Sequence, residues 1–285
     1  SGSALYEVVH FGATGVSESS GAATVVCDSA MEGAPSLDLF LVVAGGAPDR
    51  FADAKTLKFL QRLAHRGTML GGVSGGPASL ASAGLMDGRR MTVHWEHAPG
   101  LSELYPELLI ERKLYVVDRD RVTCGGGTAP LDLMHSIIAD HHGTVFARQI
   151  SDWFLHTDIR AATEPQRAGL VERLGVCSPR ALDAVAAMED HIADPLTLSQ
   201  LALLSGVTPR QLNRLFDAEF QQSTMAYYRK LRLDVAVRLI NGTSLSIGEV
   251  AQATGFSSAA HFSQAFARDL GTSPQVYRKS LSKNS

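Results

Sequence analysis

Residues 247–274 read IGEVAQATGFSSAAHFSQAFARDLGTSP, and this stretch decides the fold of the C-terminal third of the chain. Apolar residues recur at helical spacing on both sides of Gly255-Phe256-Ser257. The pattern predicts a helix over 247–254, a tight turn, and a second helix over 258–270. The side chains expected to pack between these two helices are Val250, Ala251, Phe256, Phe262 and Phe266.

The same plan occurs once before, earlier in the chain. Leu198–Leu204 and Thr208–Phe220 both have helical spacing, and Ser205-Gly206-Val207 lies between them. Gly206 stands where a sharp turn requires a positive φ. Thr208 followed by proline is a typical helix start, since threonine caps the helix and proline is accepted in its first turn. The sequence therefore predicts two helix-turn-helix units in succession.

The second helix of each unit leaves a polar face outward, and an amphipathic stretch over 225–240 is expected to hold the two units at a fixed separation. Such side chains reach base edges or phosphates when a helix enters the major groove. One unit alone could be a simple helical hairpin, but the repetition favours DNA reading, with the two helices about one helical turn, roughly 34 Å, apart. The expected DNA-binding residues are Arg210, Gln211, Asn213, Arg214, Ser258, His261, Gln264 and Arg268.

Charge is divided unevenly along the 285 residues, whose net charge is -3. Residues 1–177 hold 15 Lys/Arg and 20 Asp/Glu, giving -5, whereas 178–285 hold 11 and 9, giving +2. No apolar run is long enough to span a bilayer, so a cytoplasmic protein is expected. The cysteines have no metal-ligand spacing and are interpreted as reduced structural thiols, with no metal or cofactor predicted. They are Cys27, Cys124 and Cys177.

The first 140 residues alternate short β-rich runs with helical patterns, which predicts an α/β domain with a mostly parallel, flavodoxin-like sheet. Residues 145–178 lack clear periodicity and are interpreted as a connecting region, after which every strong pattern is helical. The predicted domains are 1–165, a connector over 166–178, and an all-α domain over 179–285. The predicted strands are 37–44, 68–73, 114–117 and 122–124, and the predicted helices 54–66, 77–83 and one that Thr128 could cap.

Gly72-Val73-Ser74-Gly75-Gly76 fits the G-x-S-x-G nucleophile elbow, in which a turn between strand and helix presents a serine. A serine nucleophile also needs a neighbouring base and an acid that orients it. The candidate partners show no decisive order in the sequence, so a tight turn with a small residue is the favoured interpretation. These candidates are His94, His97, His135, His141, His142, Asp132 and Glu96.

The C-terminal segment, about residues 180–280, resembles the arabinose-regulator (AraC) family of transcription factors. The matching motifs include Arg229-Lys230-Leu231-Arg232, Gly255-Phe256-Ser257-Ser258, His261-Phe262-Ser263-Gln264-Ala265-Phe266 and Gly271-Thr272-Ser273-Pro274. This run of motifs is highly specific. The resemblance implies a bacterial transcription regulator that binds double-stranded DNA, with a homodimer as the expected assembly.

The N-terminal segment resembles the class I glutamine-amidotransferase-like sensor domains that are fused to such DNA-binding domains. The resemblance rests on Gly45-Gly46, the elbow, Thr92-His94-Trp95 and Cys124-Gly126-Gly127-Thr128. Catalytic relatives have cysteine at the elbow, whereas this chain has Ser74, so the resemblance implies a ligand pocket in place of an active site. The residues expected to bind the ligand are Gly46, Ser74, Gly75, Trp95 and Thr128.

The resemblance further implies a small nitrogenous effector, such as a betaine, a carnitine derivative or an amino acid, and activation of catabolic genes. Trp95 could stack on a quaternary amine, although ordinary core packing is the favoured interpretation for it. Two alternatives stay open at this point. One is a Ser74-dependent hydrolase or amidase with a helical accessory domain, and the other is a DNA-binding protein whose N-terminal domain only dimerises.

Overall fold

A computed structural model describes residues 4–12, 15–19, 22–31, 35–45, 53–175 and 178–281. The chain forms two compact units, an N-terminal unit over residues 1–166 and a C-terminal unit over 167–285. The predicted fold classes are confirmed, because the first unit combines strands with helices and the described elements of the second are helical. The predicted ligand residue Gly46 and the third cysteine, Cys177, lie outside the described residues.

The N-terminal unit begins with short strand pairs that the sequence patterns did not predict, and continues with alternating strands and helices. Its strands are β1 (Phe11–Gly12), β2 (Val16–Glu18), β3 (Thr24–Val26), β4 (Ser29–Ala30), β5 (Leu39–Ala44), β6 (Met69–Ser74), β7 (Arg90–Met91), β8 (Leu109–Ile110), β9 (Tyr115–Asp118) and β10 (Arg121–Cys124). Its helices are α1 (Ala54–His65), α2 (Gly76–Ser82), α3 (Ala98–Leu104), α4 (Ala129–His142) and α5 (Thr144–Trp153).

The central sheet has the strand order β5-β6-β10-β9. β5 and β10 both pair with β6 in parallel, and β9 pairs with β10 antiparallel. The Asp53 carboxylate caps α1, which buries Phe59, Leu60 and Leu63 in the core of the unit. Because β5, β6 and β10 are parallel, their carboxyl ends and the loops that follow them lie at one edge of the sheet, where ligands of such folds bind.

The expected connecting region over 145–178 is wrong in its first part. Residues 144–153 form α5, which packs along α4 with Ala147 and Ser151 buried. The Ser151 hydroxyl lies 2.8 Å from Nδ1 of His135 on α4. The helix was missed because its buried residues are small and the large apolar residues at its end, Trp153 and Phe154, are exposed, so hydrophobic residues do not mark its buried face.

The C-terminal unit is built from helices whose bounds agree with the predicted ones to within two residues where predictions were made. They are α6 (Leu170–Leu174), α7 (Pro179–Asp190), α8 (Leu198–Leu204), α9 (Pro209–Phe220), α10 (Thr224–Gly242), α11 (Ile247–Ala253), α12 (Ala259–Leu270) and α13 (Pro274–Leu281). One hydrophobic cluster surrounds α8 and α9, and a second surrounds α11 and α12. α10 contributes buried side chains to both clusters.

Candidate DNA-binding surface and ligand site

The two helix pairs of the C-terminal unit repeat one another in detail. α8 and α11 both begin with a capping box, formed by Thr197 with Gln200 and by Ser246 with Glu249. α9 and α12 are each 12 residues long. This agreement in caps and lengths shows that the predicted second copy is a true structural repeat.

The turns between the helices also match. Gly206 has φ +64° and Gly255 has φ +69°, as the predicted sharp turns require. Ser205 and Thr254, just before these glycines, are fully buried, and each hydroxyl donates to the carbonyl four residues earlier, at 2.9 and 2.6 Å. An arginine supports each turn from outside the pair. Arg180 donates to the Ser205 carbonyl and Arg232 donates to the Gly255 carbonyl.

α10 fixes the two pairs within one unit. Tyr228 on this helix is almost fully buried, and its hydroxyl donates to the His191 carbonyl and accepts from the Leu196 amide. Arg232, one turn later, lies 4.3 Å from the centre of the Phe256 ring. A helix of 19 residues is about 28 Å long, so its ends are separated by nearly one turn of the DNA duplex.

Arg210, Gln211 and Arg214 on α9 are exposed, as expected of residues that would contact DNA. The side-chain oxygen of Gln211 accepts from the amide and the hydroxyl of Thr208, so this side chain also caps the helix. Asn213 is half-buried, and its side-chain oxygen accepts from the Thr224 amide. The two arginines are therefore the freest side chains of the predicted set on this helix.

On α12, His261, Gln264 and Arg268 follow one another at spacings of three and four residues, which places them on one exposed face. Ser258 caps the helix by accepting from the His261 amide at 3.2 Å. The His261 ring packs edge-on against Phe256, with 5.6 Å between centres. The structure thus brings together the predicted residues of this helix, although the Ser258 hydroxyl is engaged in capping it. Their role in DNA contact stays a prediction.

In the N-terminal unit the elbow has the expected shape. β6 ends at Ser74, whose φ of +60° is rare for a residue with a side chain, and α2 begins two residues later. Gly126 lies against it, so closely that a Cβ there would be 2.7 Å from the Ser74 Cβ. Among the described residues, none hydrogen-bonds the Ser74 hydroxyl. The Gly75 amide donates to the Ala44 carbonyl at 2.9 Å.

Two histidines stand beside this elbow. The His94 amide donates to the Ser74 carbonyl, and the His94 ring lies 5.6 Å from the rings of both Trp95 and His97. Burial lowers the pKa of His97, and the neighbouring His94 acts in the same direction. His97 is consequently held in its neutral form near neutral pH.

Gln166 connects the loop that carries Trp95 to the rest of the sheet edge, and the sequence patterns did not identify it. Its side-chain oxygen accepts from the Trp95 amide at 2.9 Å. Its side-chain nitrogen donates to the Thr92 hydroxyl and to the carbonyls of Val93 and Lys113 at 2.7–3.0 Å. No local signal could have found these contacts, because the partners are 53 to 74 residues away.

Comparison with known proteins agrees with both units. Residues 201–280 match the model of a helix-turn-helix domain, and residues 3–140 match that of the DJ-1/PfpI family. The chain is 43% identical over 281 residues to the HTH-type transcriptional regulator GlxA of Rhizobium meliloti, covering 98% of this chain and 86% of that protein. It is 38% identical to the HTH-type transcriptional regulator CdhR of Pseudomonas aeruginosa, covering 90% and 77%. The chain belongs to the GlxA-type transcriptional regulators.

A solved structure supports the fold of this GlxA-type regulator. A THiJ/PfpI family protein from Pseudomonas syringae matches it with a TM-score of 0.51 and 20% identity, covering 70% of this chain and 78% of that one. The family matches and the similarity to GlxA confirm the predicted AraC-type regulator with an amidotransferase-like N-terminal domain.

The enzyme alternative does not hold for this GlxA-type regulator. Its relatives are named transcriptional regulators with a helix-turn-helix domain, which points to a non-enzymatic protein. The elbow agrees, since no described residue hydrogen-bonds the Ser74 hydroxyl and the Gly75 amide, which could serve as an oxyanion donor, is already bonded to the Ala44 carbonyl.

Three further observations complete the description of the structure. Among the described residues, no helix is both long and apolar enough to cross a membrane. The same part of the chain contains no group of side chains placed to hold a metal ion. Cys27 and Cys124 are free thiols, and burial raises the pKa of Cys124.

Proposed function

We propose that this regulator reads two adjacent DNA half-sites and activates catabolic genes in response to a small nitrogenous metabolite. The repeated helix pairs carry this proposal, because each presents an exposed polar face on a second helix of 12 residues that begins with a hydroxyl cap, Thr208 in one and Ser258 in the other. The DNA contacts would be made by Arg210, Gln211, Asn213 and Arg214 on the first helix, and by Ser258, His261, Gln264 and Arg268 on the second.

The effector would bind at the carboxyl edge of the parallel strands in the N-terminal unit. Gly46, Ser74, Gly75, Trp95 and Thr128 are the proposed contacts. A betaine, a carnitine or an amino acid would suit an aromatic ring beside polar groups, since a quaternary amine interacts with a tryptophan face by about 0.5–2 kcal/mol. Binding would shift the population of DNA-competent states of a cytoplasmic homodimer. The proposed division of the chain is 1–165, a connector over 166–178, and 179–285.

To test the proposal, operator binding by the full chain is measured without effector and with each of glycine betaine, carnitine and arginine. We expect one of them to raise the melting temperature and change the affinity for a duplex that the protein selects. If none changes either quantity while DNA is still bound, the effector part of the proposal is wrong and an N-terminal unit that only dimerises is favoured. If duplex binding does not depend on sequence, the DNA-reading part is wrong.

A further inference from the structure

A buried carboxylate organises one side of the sheet edge. Asp132 on α4 is fully buried. It accepts from Nε and Nη2 of Arg160 at 3.0 and 2.7 Å, from the Arg160 amide at 3.0 Å, and pairs with His156 Nε2 at 2.9 Å. Burial acts to raise the pKa of Asp132, but these hydrogen bonds outweigh it and keep the pKa below its usual value. Asp132 is therefore ionised and holds the guanidinium in one orientation.

Part of that guanidinium remains available. Nη2 of Arg160 also donates to the Thr128 hydroxyl at 2.8 Å. No residue of the described chain accepts from Nη1, and the Arg160 side chain is 30% exposed. Thr128 itself is exposed and caps α4 without a side-chain bond to the helix. A fixed arginine with an open donor pair is suited to bind a planar anion.

The surrounding groups favour an anion at the same place. Gly126 and Gly127 both have positive φ and lead into α4, a helix of 14 residues whose amino end carries partial positive charge. The Ser74 side chain is next to this turn, since a Cβ on Gly126 would lie 3.1 Å from its hydroxyl oxygen. The guanidinium, the Thr128 hydroxyl and the start of α4 thus lie beside the elbow.

We propose that Arg160, through Nη1, binds the carboxylate of the effector together with Thr128. This rests on the proposed function and adds Arg160 to the ligand-binding residues. Asp132 already neutralises the positive charge of the Arg160 guanidinium. The site therefore suits the single negative charge of a carboxylate in a zwitterion better than the double charge of a phosphate. The inference commits the effector to a molecule that carries a carboxylate as well as an amine.

The test uses the full chain and a pair of ligands that differ at the carboxylate. Glycine betaine carries it, whereas choline has the same trimethylammonium group and a hydroxyl in its place. We expect calorimetry to detect glycine betaine and to show choline binding at least about tenfold more weakly, as loss of a charge-assisted hydrogen bond implies. Arg160→Gln should weaken the binding of glycine betaine by a similar factor. Arg66→Gln, at an exposed arginine just after α1, should leave it unchanged.

Thr128→Val provides a second variant, because Arg160→Gln leaves Asp132 without its main partner and could unfold the unit. We expect Thr128→Val to fold and to bind glycine betaine more weakly than the parent chain. Equal binding of glycine betaine and choline overturns the carboxylate site and leaves an amine effector standing. Failure of glycine betaine, carnitine and arginine alike to bind overturns both the carboxylate site and the amine effector, while duplex binding by the same samples reports on the DNA-reading part separately.

Discussion

At the scale of single residues, the proposed DNA contacts include a few exposed arginines. Arg214→Ala should weaken binding to the selected operator by about 1–3 kcal/mol if this side chain reads a base, because a bidentate contact to a base edge is lost. Competition between operator and unrelated duplexes measures the loss of specificity. Arg66→Ala is the matched control, since it removes the same charge from a residue outside the helix pairs, and an equal effect of both would refute a specific contact.

His97 gives a prediction about pH. Its pKa is lowered in the folded protein, so between the folded and unfolded pKa values the unfolded chain binds more protons and stability rises with pH. The stabilisation of the N-terminal unit should therefore be lost as the pH falls from about 6.5, the ordinary histidine value, through the lower folded value. Melting curves of the parent and of His97→Gln check this. The variant should show a smaller decrease over that range, and identical pH profiles would contradict the assignment.

At the scale of elements, the two turns offer a matched comparison. Both Gly206 and Gly255 have positive φ, which costs alanine about 1 kcal/mol in either place. A Cβ at Gly255 would also lie 2.7 Å from the Ile192 carbonyl oxygen and 2.6 Å from the ring of Pro195, whereas at Gly206 its near neighbour is the end of the flexible Arg180 side chain. Gly255→Ala should therefore lower the melting temperature of the C-terminal unit more than Gly206→Ala, and the reverse order would contradict this packing.

In the N-terminal unit, the hydrogen bonds of Gln166 to the loop that carries Trp95 can be tested in a similar way. Gln166→Glu replaces a nitrogen that donates to three acceptors by a carboxylate oxygen, so two carbonyls would face negative charge. We expect a loss of about 1–3 kcal/mol in the stability of the unit and faster hydrogen exchange over residues 92–95. Gln149→Glu, at an exposed position of α5, makes the same chemical change as a control. Unchanged exchange in Gln166→Glu would show that the loop is held by other contacts.

These elements also show which features of the structure could be predicted from the sequence. The helix pairs could be predicted because their signals are local: a capping residue, helical spacing and a turn glycine such as Gly206 or Gly255. The elbow at Ser74 was predictable for the same reason. Gln166, and the pairing of Asp132 with Arg160, could not be found, since a polar residue in a segment without periodicity gives no sign of partners far away in the chain.

At the scale of the whole molecule, the salt dependence of DNA binding tests for contacts to phosphates. The C-terminal residues carry a net +2 and the rest -5, so we expect the affinity for DNA to come from basic side chains placed at phosphates and not from overall charge. The logarithm of the binding constant should fall linearly with the logarithm of salt concentration, and removal of one phosphate contact should reduce the slope by about 0.9. A slope near zero in the parent chain would exclude phosphate contacts.

The most direct test of two-site DNA reading is selection of the intact protein on a randomised duplex library at near-physiological salt, followed by sequencing. The structure predicts enrichment of one motif with two half-sites about one helical turn apart. The Arg210→Ala, Arg214→Ala double variant should lose the half-site read by α9 and keep the one read by α12. Enrichment of a single undivided site, or no enrichment by the folded protein, would contradict the account.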